Sequence, residues 1–283
     1  MKNKIIPFVS LIVATAFLFS CSSDDDGDNN GGVTGEVSTS KQYKNLEAAT
    51  DQINDLTSGA INPGTRSSRK SSQKMSDCYT INQELNEDQT SGTVTIDFGN
   101  GCEVEKGDTI SGKILMSFSF DINGENISIT SNQTMENLVF NDMTVNGTTN
   151  LVISISGEGS ETITTTSKID FTWADGLTAT IEETGKNEFF TNNETLEFYS
   201  LSTNNGSATF SNGDLFSFTT STPLRIEGDC EYPVSGTIKN TENTVTKTLD
   251  FGDGECDSIV TVTDAEGNTT TVDLETTDED LIF

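Results

Sequence analysis

Two kinds of side chain in this sequence can do chemistry: five cysteines and 45 carboxylates, with no histidine anywhere. The missing histidine removes Ser-His-Asp and Cys-His nucleophiles, His-ligated zinc and His general bases. Paired carboxylates can still cleave a glycosidic bond. A carboxylate-dependent hydrolase therefore stays open, although spacing singles out no pair, and a non-enzymatic protein is the expectation. The acids around the second Asp-Phe-Gly triplet are Asp250, Asp253, Glu255 and Asp257. Their oxygens suit Ca²⁺, against the simpler reading of a solvated turn; no other cofactor is expected. Asp24, Asp26, Asp28 and Asn30 alternate like a calcium loop but lack the glycine and glutamate of an EF-hand. The Asp-Phe-Gly triplets at Asp97 and Asp250 are not a kinase signature, since no glycine-rich or catalytic loop accompanies them.

Cys21 stands apart from the other four cysteines. Lys2 and Lys4 precede an apolar run from Ile5 to Phe19 that ends Leu18-Phe19-Ser20-Cys21. The run is too short for a stable membrane span and reads as a secretory signal over residues 1–20. The ending resembles the lipobox of bacterial lipoproteins. That resemblance implies cleavage before Cys21, a diacylglycerol on its sulfur and an outer-membrane anchor. The residues that follow, Ser22-Ser23-Asp24-Asp25-Asp26-Gly27-Asp28, resemble the export signal of surface lipoproteins in Bacteroidota, which implies display on the cell exterior. The plain alternative is a solvated spacer extended by like charges.

With Cys21 assigned to lipid by that resemblance, four cysteines remain and allow three pairings. They bound two similar segments. Cys78 leads to Asp97-Phe98-Gly99-Asn100-Gly101-Cys102, and Cys230 leads to Asp250-Phe251-Gly252-Asp253-Gly254-Glu255-Cys256. Pairing Cys78 with Cys102 and Cys230 with Cys256 puts a predicted hairpin turn midway along each loop. Each bond would close a loop of about 25 residues and add roughly 3 kcal/mol in the chain-entropy model, and the export route supplies oxidation. A four-cysteine metal site is the weaker alternative, because no Cys-x-x-Cys pair exists. This pattern of cysteine, strand and Asp-Phe-Gly-x-Gly resembles β-rich lipoproteins of Bacteroidota, a group that brings no activity with it. Asp108-Thr109-Ile110 and Asp257-Ser258-Ile259 are similar to the O-glycosylation signal of those bacteria, which implies modification at Thr109 and Ser258.

The elements that must carry these residues are mostly strands. Residues 21–40 form a polar tether without apolar period. Tyr43, Leu46, Ala49, Ile53 and Leu56 recur at helical spacing, which predicts a short amphipathic helix over Ser40 to Thr57 with its body at 41–57, stopped by Gly59 and Pro63. It packs on the β domain or, in a sharper reading, binds a partner. Residues 58–76 read as a Ser-rich basic linker carrying Arg66, Arg69, Lys70 and Lys74. From 77 to 283 an all-β domain is expected. Ile127/Ile129, Ile153/Ile155, Ile169/Phe171/Trp173 and Phe216/Phe218 alternate with polar residues, the mark of antiparallel sheets. Asn-Gly or Asp-Gly pairs at 100–101, 123–124, 146–147, 175–176, 205–206, 212–213 and 253–254 predict hairpin turns. The first three recur every 23 residues, which suggests a regular unit of two strands and two turns. The reading is an antiparallel up-and-down meander, sandwiched or rolled into a barrel-like body.

A formal charge of −30 opposes phosphate contacts, so no nucleic acid is expected. The leading functional reading is a lipid-anchored module with a binding or structural role, with a glycan or protein partner. A glycan or small-apolar-ligand carrier is the alternative, with Trp173, Phe189, Phe190, Phe198 and Tyr199 as pocket or platform rings, if they are not simply core.

Overall fold

In a computed structural model of the chain, the described residues are 39–61, 78–103, 107–157, 160–191, 198–228 and 230–275. Cys21, the acidic residues Asp24 to Asp26, Ser22, Ser23 and most of the basic linker lie outside them. Helix α1 is Thr39–Ile61. Tyr43, Leu46, Ala49 and Ile53 point one way and are buried to 9% exposure or less, as the helical spacing requires. The helix runs past Gly59, so the expected stop there is corrected by one turn, and the linker begins later. A single glycine costs a helix about 1 kcal/mol, which burial of one aliphatic side chain offsets. Thr39 Oγ1 donates to Asp214 Oδ2 at 2.6 Å, and Gln52 Nε2 donates to Asp108 Oδ2 at 3.0 Å. These two bonds tie the helix to two separate loops of the sheet.

The strands are β1 (Thr80–Leu85), β2 (Ser91–Asp97), β3 (Cys102–Glu103), β4 (Thr109–Asn123), β5 (Asn126–Phe140), β6 (Met143–Ile155) and β7 (Glu161–Thr172). There follow β8 (Thr178–Thr191), β9 (Phe198–Phe210), β10 (Leu215–Glu227), β11 (Ser235–Glu242), β12 (Val245–Asp253), β13 (Ile259–Thr263) and β14 (Thr269–Asp273). All fourteen belong to one antiparallel sheet in chain order, with β3 as a side branch on β4. The all-β meander is therefore as expected. Its first and last strands do not pair with each other, so the ladder stays open and does not close into a barrel, and it is not divided into two sheets.

Two of the turn expectations fail for one reason. Asn146-Gly147 lies inside β6 and Asn205-Gly206 inside β9. Gly147 has φ 157°, and a Cβ there would meet the backbone of Lys168 and Ile169. At Gly206 the Phe218 ring occupies the space a Cβ needs. Both glycines serve close approach inside the ladder instead of a turn. The chain turns instead at Asn141, in a left-handed conformation with φ 51°. The 23-residue unit dissolves with them, because β4 and β5 are 15 residues each.

One face of the sheet turns inward. Val94, Ile96, Ile114, Met135, Ile169 and Phe216 bury with α1 in a first core. Leu224, Leu249, Phe251, Val260, Val262 and Val272 form a second, smaller core with Leu274. Strand β10 carries Phe216 into the first and Leu224 into the second. Between them its ladder slips, on one side between Thr219 and Leu224, and Pro223 occupies this slip. Proline is tolerated in a sheet interior only at such an irregularity, since it has no N–H to donate.

Candidate functional site

The sheet face opposite α1 carries a continuous polar row. Its residues follow from a two-residue period held in register across the whole meander. A single cross-strand row begins Thr93, Ser117, Asn132, Asn150, Thr166 and Thr184. It continues Asn205, Thr219, Lys239, Thr248, Thr263 and Thr269. None of the twelve is buried. With strands about 4.8 Å apart, the row extends roughly 50 Å. Asn150 Nδ2 donates to Asn132 Oδ1 at 2.7 Å, linking neighbours along it.

At the β1–β2 end this face sinks into an open depression of about 480 Å³. Glu84, Asn86, Ser91, Thr93, Ser119 and Thr130 contribute to its lining, together with Ser117 and Asn132 of the row and the apolar Leu85 and Phe118. Asn86 Nδ2 donates to Thr90 Oγ1 at 3.2 Å, and its Oδ1 accepts the Ser91 N–H at 3.0 Å. The rim is therefore held by its own side chains. Hydroxyls and amides both donate and accept, and Glu84 is the one ionisable group in the lining. Such a surface can hydrogen-bond an uncharged polar ligand in many orientations.

The inward face beyond α1 is different. Phe120, Ile129, Ile153 and Ile163 form one row, and Ile122, Ile127 and Ile155 form the next. Phe120 is 37% exposed and Ile122 69%, so the β4 end of this area lies open, whereas Ile163 at the other end is buried at 1%. Glu161, opposite both Ile155 and Phe189, has its carboxyl pushed above the usual range by burial.

The five rings singled out by sequence do not line one pocket. Phe189 stacks on Phe198 on the inward face at 5.7 Å, and Phe190 stacks on Tyr199 on the opposite face at 5.1 Å. Consecutive strand residues alternate faces, so these neighbours were bound to separate. Arg225 covers Tyr199 at 4.0 Å from the ring centroid, and Trp173 stacks on Phe210 against the first core. The polar row, by contrast, was missed in the sequence. Its signal was the alternation itself, but only the register aligns the polar positions.

The cysteines pair as expected. Cys78 bonds Cys102 with Cα atoms 5.3 Å apart, and Cys230 bonds Cys256 with Cα atoms 5.6 Å apart. Both bonds lie just outside their hairpins instead of directly across a strand pair: Cys78 precedes β1, and Cys102 opens β3, which pairs with β4. The proposed calcium ligands are not gathered. Asp250 Oδ1 accepts the Gly252 N–H and Asp257 Oδ1 the Ile259 N–H, each at 3.0 Å. Among the described residues no three carboxylates converge as a metal cage. Of the two candidate glycosylation residues, Thr109 is exposed, whereas Ser258 Oγ is half-buried and donates to Asp273 Oδ1 at 2.6 Å.

No protein-family model, curated protein or solved structure matches the chain.

Proposed function

We propose that the chain is a lipoprotein of the outer membrane, anchored through Cys21 and displayed on the cell exterior, where its sheet binds and does not catalyse. The anchoring is carried by Leu18-Phe19-Ser20-Cys21 and the acidic run behind it. A diacylglycerol supplies many buried methylenes at about 0.8 kcal/mol each, enough for stable attachment. In bacteria making the native chain, Cys21→Ala abolishes incorporation of a labelled fatty acid and releases the protein from membranes. Replacing Asp24, Asp25 and Asp26 by Ala leaves the label but protects the protein from protease added to intact cells. A Cys21→Ala chain that still carries label would overturn the anchor.

The ligand class that this reading favours is a neutral glycan. The observation behind it is the row of hydroxyls and amides, interrupted once by Lys239, that ends in the depression beside Glu84. The negative charge of the chain disfavours polyanions, and sugar hydroxyls match the donors and acceptors on offer. On a glycan array the mature protein binds uncharged polysaccharide. The double variant Thr93→Ala/Asn132→Ala loses at least about tenfold in affinity, as removal of two hydrogen bonds predicts. Absence of binding to every neutral glycan would leave a structural role as the reading.

A further inference from the structure

The two edges of the open sheet are unlike. At β14 the one apolar residue of the strand, Val272, is buried at 6% exposure, and the remaining side chains are threonines and Asp273. At β1 all six residues are exposed, including Ile81 at 41% and Leu85 at 49%. Edge strands are ordinarily blunted by lysine, proline, a bulge or an inward charge. Thr80-Ile81-Asn82-Gln83-Glu84-Leu85 has no lysine or proline, and it pairs with β2 without a register shift.

The direction of its backbone groups is fixed by the neighbouring bonds. The Asn86 N–H donates to Ser91 O at 3.0 Å, and the Phe120 N–H donates to Thr90 O at 2.7 Å. Odd residues of β2 therefore face β1, and even residues of β1 face β2. The N–H and C=O groups of Ile81, Gln83 and Leu85 point away from the sheet, and their side chains lie on the inward face, opposite Ile96, Val94 and Gly92.

We propose that the β1 edge pairs antiparallel with the β1 edge of a second copy of this chain, forming a closed two-fold dimer. The pairing has one register that satisfies both backbone and side chains. Gln83 faces the partner's Gln83 across the two-fold axis, and Ile81 faces the partner's Leu85 on each side of it. Three hydrogen-bonded residue pairs then exchange about six backbone bonds, and both apolar side chains are covered on the inward face. Glu84, the only charged residue of β1, falls opposite the partner's Asn82 and not opposite its own copy, so no like charges meet in the ladder. The axis stands perpendicular to the sheet. Both copies thus turn α1 to the same side of the joined sheet. The pairing rests on the sheet edge alone and does not depend on the anchor.

The experiment uses the whole mature chain in detergent and its Cys21→Ala form in solution. Sedimentation velocity over a dilution series shows a monomer–dimer equilibrium that stops at two. Gln83→Pro removes an outward N–H and leaves the β1–β2 ladder bonds in place. It weakens the dimer at least about tenfold, while slow amide exchange at Thr93 and Thr95 is retained. If that variant does not fold, single cysteines decide: Gln83→Cys forms an intermolecular disulfide, and Asn82→Cys and Glu84→Cys, two residues out of register with their own copies, form little. Either form staying monomeric at all concentrations, an unweakened folded Gln83→Pro dimer, equal cross-linking at 82, 83 and 84, or open-ended growth through β14 would each overturn the proposal.

Discussion

The two cysteine-bounded segments use the same local arrangement in different surroundings. In the first, Asp97 Oδ1 accepts the Gly99 N–H at 2.9 Å, and in the second Asp250 Oδ1 accepts the Gly252 N–H at 3.0 Å. Gly99 and Gly252 both take positive φ, at 58° and 84°, and both phenylalanines turn inward, Phe98 at 1% and Phe251 at 4% exposure. Beyond this arrangement the two segments part. Phe98 enters the larger core beneath α1, and Lys113 Nζ bridges Asp97 at 2.7 Å. Phe251 enters a smaller core built from strand residues and Leu274. The local sequence makes the strand end, the turn and the inward ring. How much that ring stabilises depends on what the rest of the chain packs over it.

The largest test of this difference is truncation of the rings. Phe98→Ala is expected to cost about 5 kcal/mol and Phe251→Ala about 3, the two ends of the usual range for a buried phenylalanine. A hole beneath a helix fixed at Thr39 and Gln52 collapses less readily than one among short terminal strands. Urea denaturation of each variant measures this, and equal costs would show that the helix adds nothing to the first segment.

The disulfides should blur the comparison instead. Their sequence separations are 24 and 26, so the chain-entropy model gives each about 3 kcal/mol. Replacing Cys78 and Cys102 by serine, and separately Cys230 and Cys256, should lower unfolding free energy by similar amounts. A much larger loss at the first pair would mean that packing, not loop closure, sets the value of these bonds.

The smallest expected effect is electrostatic and belongs to the first segment. The Lys113 hydrogen bond, aided by the Gly99 N–H, holds the Asp97 carboxyl below its usual range. A carboxylate with a lowered folded pKa stabilises above its unfolded value, near 3.9, and loses that contribution as pH falls through the folded value. Lys113→Met should therefore move the Asp97 titration upward by carbon-detected NMR, with a small fall in melting temperature that is present at neutral pH and fades as pH falls below about 4. The carboxyl is exposed, so the change is small, and a melting difference that persists below about pH 3, where the carboxyl is protonated, would point to lost packing of the lysine stem instead.

Much of the fold was legible because burial period and backbone period coincide. Ile127/Ile129 and Ile153/Ile155 announced strands, and Tyr43 to Ile53 announced a helix with one buried face. Asn123-Gly124, Asp175-Gly176 and Asn212-Gly213 turned where expected. Asn146-Gly147 and Asn205-Gly206 misled because a glycine needed for close approach has the same letter as a glycine needed for a turn. The aromatic candidates misled for a related reason: Phe189 and Phe190 are adjacent in sequence and on opposite faces in space.

By itself the sequence determined the strand content, the inward positions and the exclusion of histidine chemistry, and it favoured the cysteine partners, since each depends on local period, spacing or composition. Only tertiary structure decided that the sheet stays open, that twelve polar residues align in one row, and that Ile81 and Leu85 lie exposed on an edge. Those features depend on register summed over fourteen strands. A one-residue slip in any pairing would turn its strand over, and no single segment records the sum.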